Sequence, residues 1–202
     1  MYICVLPKDS YFCYMTIAEL KIQLENANHS TESRHLHSVL ILENKTLFPK
    51  LFTIAQETNN PVSYRAMWVL EFVCRENLSA ILSYLPPFIK TIQTVHLQPA
   101  VRPAAKICEF LTHAYYNKNG NKNVKNKLTK TAREQIATCC FDWLIDSKTK
   151  VASKAYSMTA LYLLGTEFNW IHPELKLILE QNYHSGSAAY KARSRMILEK
   201  LK

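Results

Sequence analysis

Apolar residues recur at intervals of three and four along most of the chain, the spacing of helices that each bury one face. Thr16-x-x-Glu19 is a capping box opening the first such segment, which runs to Asn26 with Ile17, Leu20 and Leu24 on one side. Leu36, Val39, Leu40 and Leu42 mark a second segment that ends near Asn44, and Leu47, Leu51, Phe52 and Ile54 a third. The strongest prediction follows. Asn60 is placed to cap a helix whose first position is Pro61, where a missing N–H costs nothing. Through Arg75 that helix is apolar on nearly every side, with only Ser63, Arg65, Glu71 and Arg75 as polar breaks. A helix of this kind must be covered on several flanks.

The pattern continues with a short helix from Leu78 to Leu85, stopped by Pro86-Pro87, and another through Phe88, Ile89, Ile92 and Val95. Pro99 and Pro103 stand at the entrance of the next, which carries Ala104, Ile107, Cys108, Leu111 and Ala114 inward. Residues 117–130 break the periodicity and read as a solvated loop. Thr131-x-x-Glu134 is a second capping box, ahead of Ile136, Cys140, Trp143 and Leu144. Ser147 is the expected cap of a helix that buries Val151, Ala155, Met158, Leu161 and Tyr162 and ends at Gly165. His172-Pro173 opens a helix through Leu175, Ile178 and Leu179. After the Ser185-Gly186-Ser187 hinge, a final helix is expected to turn Ala188, Ala192, Met196 and Leu201 inward. The sum is an all-α chain of about ten helices, and three glycines leave few sites for tight hairpin turns.

One motif returns at the start of four of these helices. Val62-x-x-Arg65-Ala66 is echoed by Val101-x-x-Ala104-Ala105, Val151-x-x-Lys154-Ala155 and Ala188-x-x-Lys191-Ala192, in steps of 39, 50 and 37 residues. Steps of that size belong to two-helix repeats, and the small residue closing each motif lets a neighbouring helix approach. With the Pro61, Pro99 and Pro173 starts, the echoes make residues 30–202 resemble the HEAT/armadillo group of α-solenoids. The resemblance implies a right-handed superhelix of stacked helical hairpins, a single domain over 15–202, and a concave face that holds a macromolecular partner, most often a protein. Residues 1–14 read as an appendage. The chain also resembles short bacterial helical proteins sometimes labelled adenylosuccinate lyase. The lyase signature loop has the form G-S-S-x-M-P-x-K-x-N, and the nearest stretch here, Gly186 to Arg193, lacks the second serine, the Met-Pro pair and the lysine in register.

Charge changes the picture more than composition does. Residues 1–101 are neutral overall, with eight basic and eight acidic side chains, whereas residues 102–202 carry seventeen basic against eight acidic. The second half therefore favours an acidic partner. Lys118, Lys122, Lys125, Lys127 and Lys130 lie in a stretch with five asparagines and no acid, and Lys191, Arg193 and Arg195 follow in the last helix. These cations are candidates for phosphate contacts, with Trp143, Tyr115 and Tyr116 as surfaces on which bases could stack. Helical-repeat DNA glycosylases of the alkyl-base type share a basic concave face and a Trp/Asp site, to which Asp142-Trp143 bears a loose resemblance. Nucleic acid is thus the alternative partner.

No constellation for catalysis stands out. The seven histidines form no H-x-x-x-H pair, the six cysteines no C-x-x-C pair, and no phosphate-binding glycine loop occurs. No cofactor or metal is implied. Cys74, Cys108, Cys139 and Cys140 lie in apolar helical stretches, which with the absence of a secretory pattern fits a reducing cytoplasm, and the longest apolar run, Leu78 to Val95, is cut by two prolines and Lys90.

Overall fold

A computed structural model describes residues 15–202; the appendage expected at 1–14 lies outside the described residues. Among these residues there is no strand. The helices are α1 (Ile17–Glu25), α2 (Thr31–Glu43), α3 (Leu47–Ala55), α4 (Val62–Glu76), a 3₁₀ helix (Leu78–Tyr84), α5 (Leu85–Ile92), α6 (Gln98–Tyr116), α7 (Lys122–Lys127), α8 (Lys130–Ile145), α9 (Val151–Leu164), α10 (Ile171–Tyr183) and α11 (Ala188–Lys200).

The caps show why the elements begin where they do. Thr16 Oγ1 accepts the Glu19 N–H at 3.2 Å, and the Thr16 N–H returns to the Glu19 carboxylate at 2.7 Å. Asn60 Oδ1 takes the Val62 N–H at 3.1 Å and starts α4. Two expected caps shift along the chain. Thr129, not Thr131, caps α8 by accepting the Ala132 N–H. Ahead of α9, Asp146 rather than Ser147 organises the turn, accepting the Lys148 N–H at 3.0 Å and the Thr149 hydroxyl at 2.8 Å. A carboxylate accepts both bonds at once, which a serine hydroxyl beside it does less well.

The lysine-rich connection is not a bare loop. Asn121 caps α7, and Val124 and Leu128 drop into the core with no exposure. Two apolar anchors thus fix a segment whose remaining side chains are solvated.

The helices form two layers. In one, α2, α4, α6, α9 and α11 pack in succession, each against the next. In the other, α1 lies on α3, the 3₁₀ helix runs into α5, and α5 packs on α8, while α8 and α10 cover α9. The four echoed motifs fall one each on α4, α6, α9 and α11, neighbours in the first layer. Ala66 and Ala105 are fully buried there, Ala155 partly, and Ala192 is exposed. No helix among the described residues is long and apolar enough to cross a membrane.

The arginine of the first motif has a structural task. Arg65 Nη1 reaches from α4 to the end of α1, donating to the carbonyls of Leu24, Glu25 and Ala27. The last carbonyls of a helix have no partner within it, and a cation there also meets the negative end of the helix dipole. Arg65→Ala is expected to lower the unfolding free energy by about 1–2 kcal/mol. Urea unfolding monitored by circular dichroism checks this, and an unchanged midpoint would remove the capping role.

Two helices turn differently from their apolar pattern. In α2 the buried positions are Ser38 and Ile41, while Leu36 is 69% exposed. Ser38 is admitted because its hydroxyl donates to the His35 carbonyl at 2.7 Å. In α11, Tyr190, Ser194 and Ile197 face inward, and Met196 is left 52% exposed. At the end of α9, a Cβ on Gly165 would sit 2.0 Å from the His172 ring. That ring stacks on Tyr162 and bonds the Tyr162 carbonyl at 2.8 Å through Nε2, so the close approach requires glycine.

Candidate functional site

Glu71 is the one carboxylate among the buried positions of α4, and its side chain has no exposure. An ionised carboxylate at such depth needs charged partners to offset its lost hydration. Three arginines from three helices supply them. Arg102 of α6 donates to Oε2 at 2.6 Å, and Arg75, one turn along α4, donates to Oε1 at 3.1 Å. Arg34 of α2 completes the ring at 3.9 Å from Oε2. The guanidinium carbons of Arg34 and Arg75 also lie over the Phe72 ring, 4.7 and 4.3 Å from its centre.

The cluster holds three cations and one anion. Burial pulls the Arg34 guanidinium down from its ordinary value; the Arg102 and Arg75 charges add to this and Glu71 opposes it. Three guanidiniums thus share one carboxylate.

The same layer continues the theme. Lys106 of α6 pairs with Glu109 and lies over the rings of Phe110 and of Tyr156 from α9, the latter at 4.3 Å. Arg193 of α11 donates to Thr159 Oγ1 of α9 at 3.1 Å, and Lys200 sits over Tyr162 at 5.2 Å. A row of cations on α2, α4, α6 and α11, several of them over aromatic rings of α4, α6 and α9, thus follows this layer.

The residues singled out from sequence occupy three places. Lys118, Lys122, Lys125, Lys127 and Lys130 are all exposed on the connection from α6 to α8. Lys191, Arg193 and Arg195 lie on α11, where Arg195 bonds the Tyr183 hydroxyl at 3.2 Å. Among the described residues, no hydrogen bond or ion pair joins these two groups. Trp143 is 6% exposed and lines a separate cleft of about 760 Å³ between α8 and the α5–α6 connection, with Asp142, His96 and Gln98. Tyr115 and Tyr116 are engaged at the end of α6. Arg133 lies 4.1 Å from the Tyr115 ring centre, and the Tyr116 hydroxyl donates to Glu167 Oε2 at 2.6 Å. Arg193 alone among the nominated residues joins the cation row.

Arg34, Arg75, Arg102 and Lys106 escaped the sequence reading, which followed charge density in the second half of the chain. The available signal was Glu71, an acid inside an apolar helix, which demands cations from somewhere else in the fold.

Nucleophilic and metal chemistry find little footing. Cys74, Cys108, Cys139 and Cys140 are buried free thiols; burial pushes Cys139 up to about 12 and also raises Cys74 and Cys108 above the ordinary thiol value. Among the described residues, no group of three His, Cys, Asp or Glu side chains converges on a metal-sized site. Asp146 is committed to its turn, and its bonds from the Lys148 N–H and the Thr149 hydroxyl hold its carboxyl below the usual range. The stretch compared with the lyase loop folds as the Ser187-capped start of α11. No protein-family model, curated protein or solved structure matches the chain.

Proposed function

We propose that the chain is a non-catalytic helical-repeat protein of HEAT/armadillo type that holds an acidic segment of a protein partner across α2, α4, α6, α9 and α11. The observation that carries this reading is the cation row: Arg34, Arg75, Arg102, Lys106 and Arg193, the first four of which pair, among the described residues, with just two carboxylates, Glu71 and Glu109. The layered neighbour-to-neighbour packing and the echoed motifs support the repeat-type reading. Guanidinium groups stacked on rings are already ordered, so a partner's carboxylates meet donors that lose little freedom on binding.

The test is fluorescence anisotropy with a labelled oligo-glutamate peptide and with single- and double-stranded DNA and RNA, each at low and high salt. The reading expects peptide binding that weakens with salt and falls several-fold in the double variant Lys106→Gln/Arg193→Gln. Peptide binding unchanged in that variant would sink it.

A second reading has its own observation. The connection from α6 to α8 presents five exposed lysines and no acid, which suits a nucleic-acid backbone. It is favoured if DNA or RNA binds more tightly than the peptide and loses affinity when those lysines become glutamine.

A further inference from the structure

We propose that Arg34, Arg75 and Arg102 form a site for a phosphate monoester dianion, carried as a phosphorylated side chain on the partner held by this face. The inference rests on the reading of that face as the binding face and adds the chemistry of its strongest point.

The charge balance sets the class of ligand. Three guanidiniums surround one carboxylate, leaving two positive charges uncompensated within the cluster. A phosphate monoester carries close to two negative charges at neutral pH, with its second proton leaving near pH 6. A phosphodiester carries one, so a nucleic-acid backbone leaves the cluster half neutralised. An isolated carboxylate does the same.

Hydrogen-bonding capacity agrees. A guanidinium has five N–H donors in a planar fork. Among the described residues, Arg34 spends one on the Ser30 carbonyl at 3.2 Å, while Arg75 and Arg102 each spend one on Glu71. Most donors of all three forks remain for a ligand that accepts through several oxygens, as a terminal phosphate does.

The site is also held in advance. Glu71 fixes Arg75 and Arg102 through its two oxygens, and the guanidiniums of Arg34 and Arg75 each pack on the Phe72 ring. Side-chain exposures of 14%, 28% and 43% for Arg34, Arg102 and Arg75 leave the cations reachable but partly shielded from solvent. Shielding strengthens their attraction for an anion over that of a freely hydrated lysine. Glu71 is then a positioning residue, and the arginines are the ligands.

Calorimetric titration of the full chain tests this with phenyl phosphate, dimethyl phosphate, and a neutral peptide with and without one phosphoserine. Expected are binding of phenyl phosphate and the phosphopeptide at least about tenfold tighter than of dimethyl phosphate and the unmodified peptide, and loss of about tenfold in Arg34→Gln. Affinity should rise from pH 5 to 7 as the second phosphate proton leaves. Equal binding of monoester and diester, no binding of either, or no effect of Arg34→Gln would overturn the proposal. If Arg34→Gln fails to fold, Arg102→Lys and the pH profile of the unaltered protein decide between the same outcomes. Loss of oligo-glutamate binding in Lys106→Gln/Arg193→Gln with no preference for phosphate monoesters removes this inference alone. Phosphate binding without any oligo-glutamate response removes the wider reading and leaves an isolated anion site.

Discussion

Glu71→Gln is expected to lower the unfolding free energy by about 3 kcal/mol. The amide keeps the shape of the side chain but withdraws the only negative charge that, among the described residues, contacts Arg34, Arg75 and Arg102. Three guanidiniums drawn from α2, α4 and α6 then repel one another across the helices they had joined. Removing one partner from a buried pair typically costs about 3–5 kcal/mol; the lower end applies because Arg75 and Arg102 are partly exposed and can rehydrate. Urea unfolding at low and high salt is the measurement. The loss should shrink at high salt, since repulsion among partly exposed cations is screened. A neutral or stabilising substitution would show that the desolvation of Glu71 outweighs its attractions.

Arg133→Met should cost about 2 kcal/mol and alter the acid limb of stability. Arg133 is 6% exposed at the start of α8, donates to Glu167 through Nε at 2.9 Å and Nη2 at 2.7 Å, and also donates to the Leu128 carbonyl. One side chain thereby joins α8, the segment after α7 and the turn after α9. The Glu167 carboxyl is held below its ordinary value of 4.5 by the Arg133 hydrogen bonds, with the Tyr116 hydroxyl adding to them and burial opposing. A lowered carboxyl contributes stability that is complete above its unfolded value and vanishes as pH falls through the folded one. The unaltered protein should therefore lose this contribution below about pH 4.5, and Arg133→Met should lose less of its stability there. Thermal midpoints from pH 7 to 3 for both proteins test the sign. Parallel curves would mean that the pair does not set the acid response.

The helix inventory could be read from the letters because its signals are local. The Thr16/Glu19 box, the Asn60-Pro61 start and the Leu47, Leu51, Phe52, Ile54 face each depend on residues within two turns; the box and the face stand as read, and the start shifts by one residue, with Pro61 at the cap position and Asn60 bonding the Val62 N–H. The inward faces of α2 and α11 were not legible. Their burial is decided by neighbours, and serines at 38 and 194 take interior positions that apolar periodicity gives to Leu36 and Met196. The site was hidden for a related reason. Arg34 and Arg102 come from the neutral half or its border, far apart in the chain, and only the packing of α2 and α6 on either side of α4 brings them together. Charge density drew attention to the lysines between α6 and α8, where solvent and not chemistry accounts for composition equally well.

Every substantial helix contact among the described residues joins elements no more than three apart along the chain. The loops that close during folding are therefore short, and little entropy is surrendered before a contact forms. A lesion in α1 therefore acts first on α3 and α4, the helices it touches, and is felt at α9 to α11 only through the helices between them.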